Sequence, residues 1–382
     1  MQKKTSVAVG ISGGIDSAMT AYLLQESGYR VIGITMRTYD ENIEMDKTLK
    51  SGCFGPAQKE NILSASLLCR KLGIEHYIIP LQEEFRHKVI DYFCETYIKG
   101  KTPNPCLVCN AYIKFALLPK KAHSLGLEFD YFATGHYAKI GFNNTLKRYQ
   151  IRKAKDANKD QSYFLAFLSQ EQLAQTLFPL GDYTKQEIKI MAIEKGFTEL
   201  VERKESQDFL QSSDLEVLFK PEDFNPGEII DMQGKVIGKH KGIINYTIGQ
   251  RRNLGISGMP EPYYVLQIDA ENNRIVLGPK EYLFKKKCSA TDMNWVSLPA
   301  PEKKFRAKAK IRQQHSPADC IVTPINDNTI EVVFKEPQLS ITPGQGLVLY
   351  LDDLLLGGGF IAFSNNEDVE TKDLEGFRRG ES

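Results

Sequence analysis

Apolar residues in the first two hundred positions come alternately in short unbroken runs and in stretches with helical spacing. The runs Val7–Val9, Val31–Met36, His76–Pro80 and Tyr131–Ala133 predict strands. The stretches from Ala18 to about Ser27, Glu60–Leu72, Glu83–Tyr97 and Ile113–Ser124 predict helices. Strand and helix in alternation predict an α/β fold, a doubly wound parallel sheet whose ligand crevice lies outside the carboxyl ends of its strands. The loops after Val9, Met36 and Ala133 then share one edge. From about residue 205 the pattern changes to short strands and tight turns. Residues 225–238 predict two short strands around a glycine turn, followed by a donor-rich loop from Tyr246 to Gly255. Further short strands over Tyr264–Asp269, Arg274–Leu277, Lys304–Gln313, Glu331–Phe334 and Gly346–Tyr350 suggest a small β-barrel. The division expected is a first domain over 1–204, a small central β domain over 205–283, a C-terminal barrel over 284–364 and a charged, frayed tail over 365–382.

Composition narrows this picture only in places. With 382 residues, 42% hydrophobic and 25% charged, the chain can bury several cores and has the balance of an ordinary soluble protein. No apolar run is long enough to span a bilayer, and Met1–Lys4 leads straight into a strand, so a cytoplasmic protein with no membrane partner is expected. The net charge of +1 offers no argument for a nucleic-acid partner, which would have to come from local patches. Seven cysteines in a chain of this length favour thiol chemistry or metal binding over a disulfide framework.

The first candidate site is the loop Gly10-Ile11-Ser12-Gly13-Gly14-Ile15-Asp16-Ser17, between the opening strand and the helical pattern that follows. Backbone N–H groups at such a loop and the positive end of the helix dipole favour an anion, and Ser12 and Ser17 add hydroxyl donors. No lysine follows the glycines, which excludes the common phosphate loop. The string S-G-G-x-D-S resembles the pyrophosphate loop of the ATP pyrophosphatases, which split ATP into AMP and pyrophosphate while adenylating a substrate oxygen. Met36 and Gly135, on loops at the same edge, are expected to line the nucleotide pocket. The second candidate is Thr102-Pro103-Asn104-Pro105-Cys106-Leu107-Val108-Cys109-Asn110, a proline-stiffened loop placing two cysteines just before a helix expected to start near Tyr112. Thiols at a helix N-terminus are acidified, so a nucleophile or a metal ligand both follow. The third is Lys304–Arg312, with a cation at every even position: as a strand it has one basic and one buried face. Arg251, Arg252 and the cluster Lys147, Arg148, Arg152, Lys153, Lys155 extend the expected basic surface.

Taken together, these motifs resemble the tRNA 2-thiouridylase family of ATP pyrophosphatases. The matching pieces are the opening loop, Thr102–Pro105 with Cys109-Asn110, Ala133-Thr134-Gly135-His136-Tyr137, Lys159–Leu165, Gly242-Ile243 with Tyr246–Arg252, and Pro343-Gly344-Gln345. The resemblance implies an adenine nucleotide alpha hydrolase-like catalytic domain, a tRNA-binding central domain, and ATP with Mg2+ as cofactors. It implies that uridine O2 at the wobble position attacks the α-phosphate of ATP held by Gly10–Ser17, and that sulfur then displaces AMP. Cys109 matches the nucleophile, with Cys106 beside it, and Asn104, Pro105 and Cys106 lie against the target base. His136, Lys159, Asp160, Gln161, Lys310, Ile311, Arg312 and Gln345 match tRNA-contact positions. The implied partners are tRNAs for Lys, Glu and Gln and a sulfur-donor protein or inorganic sulfide. Many members have an acid at the position of Cys106 and a second catalytic cysteine where this chain has Leu210, so the usual two-cysteine relay is not available. Three replacements stand open: a [4Fe-4S] cluster on Cys53, Cys106 and Cys109, a Cys106–Cys109 redox pair fed by a persulfide donor, and structural zinc. Other readings are an amidotransferase-type or lysidine synthetase, which leave Pro105–Cys109 unexplained, and a non-catalytic sulfur carrier or RNA-binding protein of the same fold.

Overall fold

The computed structural model describes residues 4–41, 54–202, 216–258 and 261–362. Four short apolar runs form the expected parallel strands: β1 (Ser6–Gly10), β2 (Arg30–Arg37), β3 (His76–Pro80) and β4 (Tyr131–Ala133). A hairpin of β5 (Ala138–Asn143) and β6 (Arg148–Lys153) follows, and β7 (Thr176–Leu177) completes the parallel sheet in the order β3-β2-β1-β4-β7. Side chains alternate across this sheet because the strand period is two. Val7 and Val9 pack on one face against α1 (Ile15–Glu26), α2 (Gln58–Leu72) and the helix Lys185–Glu194. Ala8, Ile32 and Ile34 pack on the other against the helices over 82–98 and 105–124. The sheet is therefore doubly wound, as the sequence predicts. Its strand order reverses at β1, so the crevice opens between the ends of β1 and β4.

The central unit is a four-stranded sheet of β8 (Gly227–Ile230), β9 (Val236–His240), β10 (Tyr264–Asp269) and β11 (Arg274–Gly278), in the order β10-β11-β8-β9. The last two strands thus belong here and not to the barrel that their spacing suggests. Spacing alone does not say which sheet a short strand joins. This sheet rests on the helix over 82–98, whose Phe93 shares its core, its ring centre 6.4 Å from that of Phe219.

The barrel consists of β12 (Phe284–Trp295), β13 (Phe305–Lys310), β14 (Ala318–Asn326), β15 (Thr329–Leu339), β16 (Gly346–Leu351) and β17 (Leu354–Ala362). It runs in the order β12-β15-β14-β13-β16-β17 and closes by antiparallel pairing of β12 with β17. The β5–β6 hairpin adds to β17 through Leu354 opposite Arg152 and Leu355 opposite Ile151. Val348, Tyr350 and Leu355 of the barrel bury into the same core as Leu107, Tyr163 and Ile34. Barrel and parallel sheet are therefore welded by a shared apolar interior.

Four histidines, His76, His136, His240 and His315, are held below the ordinary 6.5, in each case chiefly by burial. They stay neutral in the folded chain and take protons more readily once unfolded. Below about pH 6.5 the unfolded state therefore binds more protons, and stability falls as pH falls. The expected result is a thermal midpoint that drops between about pH 7 and pH 5, with a shallower drop in His136→Gln, read by circular dichroism across that range.

Candidate active site

The Gly10–Ser17 loop sits where the sequence puts it, between β1 and α1 at the mouth of the crevice. Ile11 and Ile15 anchor it in the core, at 2% and 5% exposure, and the Ile11 N–H donates to Ile34 O at 2.9 Å. Ser17 Oγ accepts from the Ser12 N–H at 3.2 Å and donates to Gly14 O at 2.9 Å, so the loop is curled before any ligand arrives. No side chain caps α1 at Gly14, which leaves the helix N-terminus to an anion. Gly13 has φ +79, and a Cβ there would stand 2.9 Å from Ser64 Cβ on α2. Met36 lies near the end of β2, half-buried beside that crevice. Gly135 comes closer still: its Cβ would lie 2.9 Å from the backbone carbon of Asp16, so no side chain fits.

The lysine missing from the loop arrives from elsewhere. Lys185 Nζ donates to both carboxylate oxygens of Asp16, at 2.7 and 2.8 Å, with the lysine side chain only 9% exposed. Tyr137 OH donates to Asp16 Oδ1 at 2.8 Å. A capping box between Thr184 and Glu187 starts the helix that carries Lys185, and the Lys185 N–H is tied to Asp156 Oδ2 at 2.9 Å. The T-x-x-E signature was present in the sequence, but nothing local links residue 185 to residue 16. Lys185 and the Tyr137 hydroxyl are the functional groups that sequence reasoning missed.

The two cysteines stand inside a helix and not in a loop before it. Asn104 is the N-cap, accepting the Leu107 N–H on Oδ1 at 3.2 Å, and Pro105 occupies the first turn. The helix runs α-wound over Pro105–Val108, π-wound over Cys109–Leu117 and α-wound again over Leu118–Ser124. Cys106 and Cys109, both half-buried, are three residues apart and so share a helix face. The remaining cysteines that the structure describes are poor thiolates: burial pushes Cys69 up to about 11 and Cys94, Cys288 and Cys320 to about 12. Cys53 and Leu210 lie outside the described residues. Among the described residues no group of three Cys, His, Asp or Glu side chains is placed to hold a metal. A cluster on this helix therefore has two of its three cysteines in view, and no step is assigned to it.

The Cys helix is fastened to the rest of the site on two sides. Phe115 meets Phe132 of β4 edge-to-face at 5.6 Å and lies tilted against His136 at 5.6 Å. On the barrel side, Asn104 Nδ2 donates to Gln345 Oε1 at 3.2 Å and to Tyr163 OH at 3.4 Å, while Gln345 Nε2 donates to Pro103 O at 3.1 Å. Gly344, with φ +88, leaves so little room that a Cβ would stand 2.7 Å from Thr102 O. Gln345→Ala removes two bonds across this seam, and product formation at fixed substrate is expected to fall by about tenfold, as for roughly 1.4 kcal/mol, measured by initial rates.

The residues expected to touch tRNA fall into two groups. Asp160 accepts from the Ala154 N–H and from Ser162 Oγ at 3.1 and 2.8 Å, and Gln161 Oε1 accepts the Tyr137 N–H at 3.0 Å. Their side chains, like those of Asn104 and Gln345, hold the loops in shape. His136 is buried, with Nδ1 2.7 Å from Thr134 Oγ1, and its ring forms a cluster with those of Phe115 and Phe178, each within 5.8 Å of the other two. Lys159 is half-buried on the same turn as Asp160.

The basic strand also departs from expectation. Arg306 and Lys308 are exposed on β13, but Lys310 is 8% exposed, with its ammonium 5.7 Å from the centre of the Tyr163 ring. Burial holds its pKa below the ordinary value, against the pull of Asp160. Docking of the Asp160–Tyr163 turn on the barrel has covered the last cation of the face. Ile311 is buried, and Arg312 donates to Leu339 O at 3.1 Å. In the expected cluster on β5 and β6, Arg148 is bound to Trp295 O, Arg152 to Asp353, Lys153 to Asp352 O and Lys155 to Glu187. Three of those five cations thus fasten the hairpin to the barrel and Lys155 is paired within its own domain, while Lys147 is exposed. Arg251 and Arg252 are exposed in the central unit.

An anion-favouring loop at the switch point of a doubly wound sheet, a two-thiol helix packed on β4 beside it and a barrel fastened to that helix define a nucleotide-using enzyme. Three family models match in the same order: a tRNA methyl transferase HUP domain over residues 5–211, a tRNA methyl transferase PRC-barrel domain over 216–279 and an aminomethyltransferase β-barrel domain over 285–361. The tRNA-specific 2-thiouridylase MnmA of Endomicrobium trichonymphae is 44% identical over 94% of this chain and 100% of that protein. The MnmA proteins of Acetivibrio thermocellus and Clostridioides difficile are 40% and 42% identical over 94% of this chain, covering 99% and 98% of theirs. The chain belongs to the tRNA-specific 2-thiouridylase MnmA family.

Proposed function

We propose that this enzyme is a tRNA-uridine 2-sulfurtransferase, which uses ATP to replace the C2 oxygen of the wobble uridine by sulfur. The observation that carries the reading is the unbroken set of contacts from the nucleotide loop through Asp16 and Gly135 to His136, and from His136 through Phe115 to the helix bearing Cys109. Uridine O2 attacks the α-phosphorus of ATP and pyrophosphate leaves. The base then carries AMP on the former carbonyl oxygen. The curled Gly10–Ser17 loop and the α1 N-terminus receive the polyphosphate, with Mg2+ as its counter-ion.

For the sulfur step, the shared helix face of Cys106 and Cys109 favours the thiol pair. A persulfide on Cys109, loaded by a donor protein, attacks C2 and expels AMP. Cys106 thiolate then attacks Cys109 Sγ, closing a disulfide and releasing 2-thiouridine; an external dithiol reopens the pair. In this scheme Cys53→Ala retains at least about half of the product formed with a persulfide donor, whereas Cys106→Ala stops with the tRNA held on Cys109 through a disulfide and releases product only on addition of an external thiol. Loss of all product in Cys53→Ala would favour the cluster instead.

The substrates proposed are the tRNAs for Lys, Glu and Gln, met in the cytoplasm; no helix among the described residues is long and apolar enough to cross a membrane. Exposed Arg306, Lys308, Arg251 and Arg252 supply phosphate contacts that hold register and read no sequence. Affinity for tRNA is expected to fall by roughly tenfold or more between about 50 and 200 mM salt, measured by filter binding. The test of the function is stoichiometric: unmodified tRNA, ATP and a persulfide donor should yield 2-thiouridine, AMP and pyrophosphate in equal amounts by mass spectrometry. ATP turnover independent of tRNA, or no thiolated base, would overturn it.

A further inference from the structure

Tyr137 ties the neighbouring Gln161 turn to Asp16, a residue 121 positions from it in the sequence. The ring is 2% exposed and its hydroxyl donates to Asp16 Oδ1 at 2.8 Å. Its backbone is paired with Gln161 on both sides: the Tyr137 N–H donates to Gln161 Oε1 at 3.0 Å, and Tyr137 O accepts the Gln161 N–H at 2.9 Å. Two residues earlier, Gly135 lies so close to Asp16 that a Cβ would stand 2.9 Å from it. The segment 135–137 therefore cannot shift without moving Asp16 at one end or the Lys159–Gln161 turn at the other. Lys185 holds the far side of the Asp16 carboxylate, with Nζ 5.9 Å from the centre of the Tyr137 ring. Asp16 is the acid of the nucleotide loop, so its position and charge bear directly on a polyphosphate at the α1 N-terminus.

We propose that Tyr137 is a positioning residue that couples the two substrates: through its hydroxyl on Asp16 and its backbone on Gln161, tRNA seated at the Lys159–Gln161 turn and ATP in the Gly10–Ser17 loop each raise the other's affinity. The proposal rests on the sulfurtransferase reading, with ATP in the Gly10–Ser17 loop, and on the family resemblance that puts Lys159, Asp160 and Gln161 among tRNA-contact positions. Coupling of this kind is reciprocal: the factor by which tRNA tightens the nucleotide equals the factor by which the nucleotide tightens tRNA. A purely structural tyrosine would change each affinity without linking them.

The test measures binding of α,β-methylene ATP with Mg2+, with and without saturating unmodified tRNA, and binding of the tRNA with and without the analogue. Wild-type protein is expected to bind each ligand at least about fivefold tighter in the presence of the other, by the same factor both ways. In Tyr137→Phe, which removes one oxygen, that factor falls below about twofold whatever the separate affinities. Gln161→Ala removes one of the two bonds at the other end of the link and is expected to lower the factor as well, so the test survives a Tyr137 variant that folds poorly. An unchanged factor in both variants, or no factor in wild type while both ligands bind, overturns the coupling and leaves the sulfurtransferase reading standing. Failure of wild type to bind the analogue or the tRNA at all removes both.

Discussion

Cys109→Ser is expected to abolish 2-thiouridine formation, by at least on the order of 10³-fold, while tRNA-dependent exchange of labelled pyrophosphate into ATP continues. In the proposed scheme the two outcomes separate because adenylation of the uridine oxygen uses the Gly10–Ser17 loop and no thiol. Ser at the first π-wound turn keeps the size and polarity of the side chain, so the helix that Asn104 caps should persist. Exchange is read by incorporation of radiolabelled pyrophosphate and product by nucleoside analysis. Loss of both activities in a folded variant would mean that Cys109 serves the nucleotide half of the site. Retention of product would remove it from the sulfur step.

The second large effect is expected at Lys185. Replacing it by Met leaves the Asp16 carboxylate without its two ammonium contacts, in a place where Lys185 is 9% and Asp16 30% exposed. Breaking a buried pair costs about 3–5 kcal/mol, and the partial exposure of Asp16 lowers the expectation to roughly 2–3 kcal/mol. The thermal midpoint should fall by several degrees, and the KM for ATP should rise by about tenfold or more as the uncompensated acid repels polyphosphate. Asp16→Asn in the same chain removes the orphaned charge and should restore most of the midpoint. If the double variant is no more stable than Lys185→Met, the lysine acts through packing and not through Asp16. Calorimetry of the two variants beside wild type distinguishes these outcomes.

The parallel sheet was readable because its strands are short apolar runs bracketed by turns, and because α/β alternation admits few topologies. The nucleotide loop was readable for the same local reason: glycines, hydroxyls and an acid sit consecutively between a strand and a helix. Long-range partners were not. Lys185 looks like any lysine in the first turn of an amphipathic helix. Lys310 looks like the fourth cation of an exposed face until the Tyr163 ring covers it. The helix start at Pro105 was legible in principle, since Asn-Pro fits the N-cap and first helical position, but two nearby prolines read more readily as a stiff loop. The strands Tyr264–Asp269 and Arg274–Gly278 have barrel-like spacing but pair with each other, and the second of them with β8, because pairing is decided by neighbours that local pattern does not encode. Resemblance to a family supplied the roles of His136, Gln161 and Gln345; the structure adds that Gln161 and Gln345 spend their amide groups holding loops together.

The central claim is that ATP is consumed to turn the uridine C2 oxygen into a leaving group. It is tested most directly with tRNA carrying oxygen-18 at that oxygen, by mass analysis of the AMP released in a single turnover. The account requires one labelled oxygen in every AMP formed, with none in pyrophosphate. AMP free of label, alongside thiolated base, would contradict it.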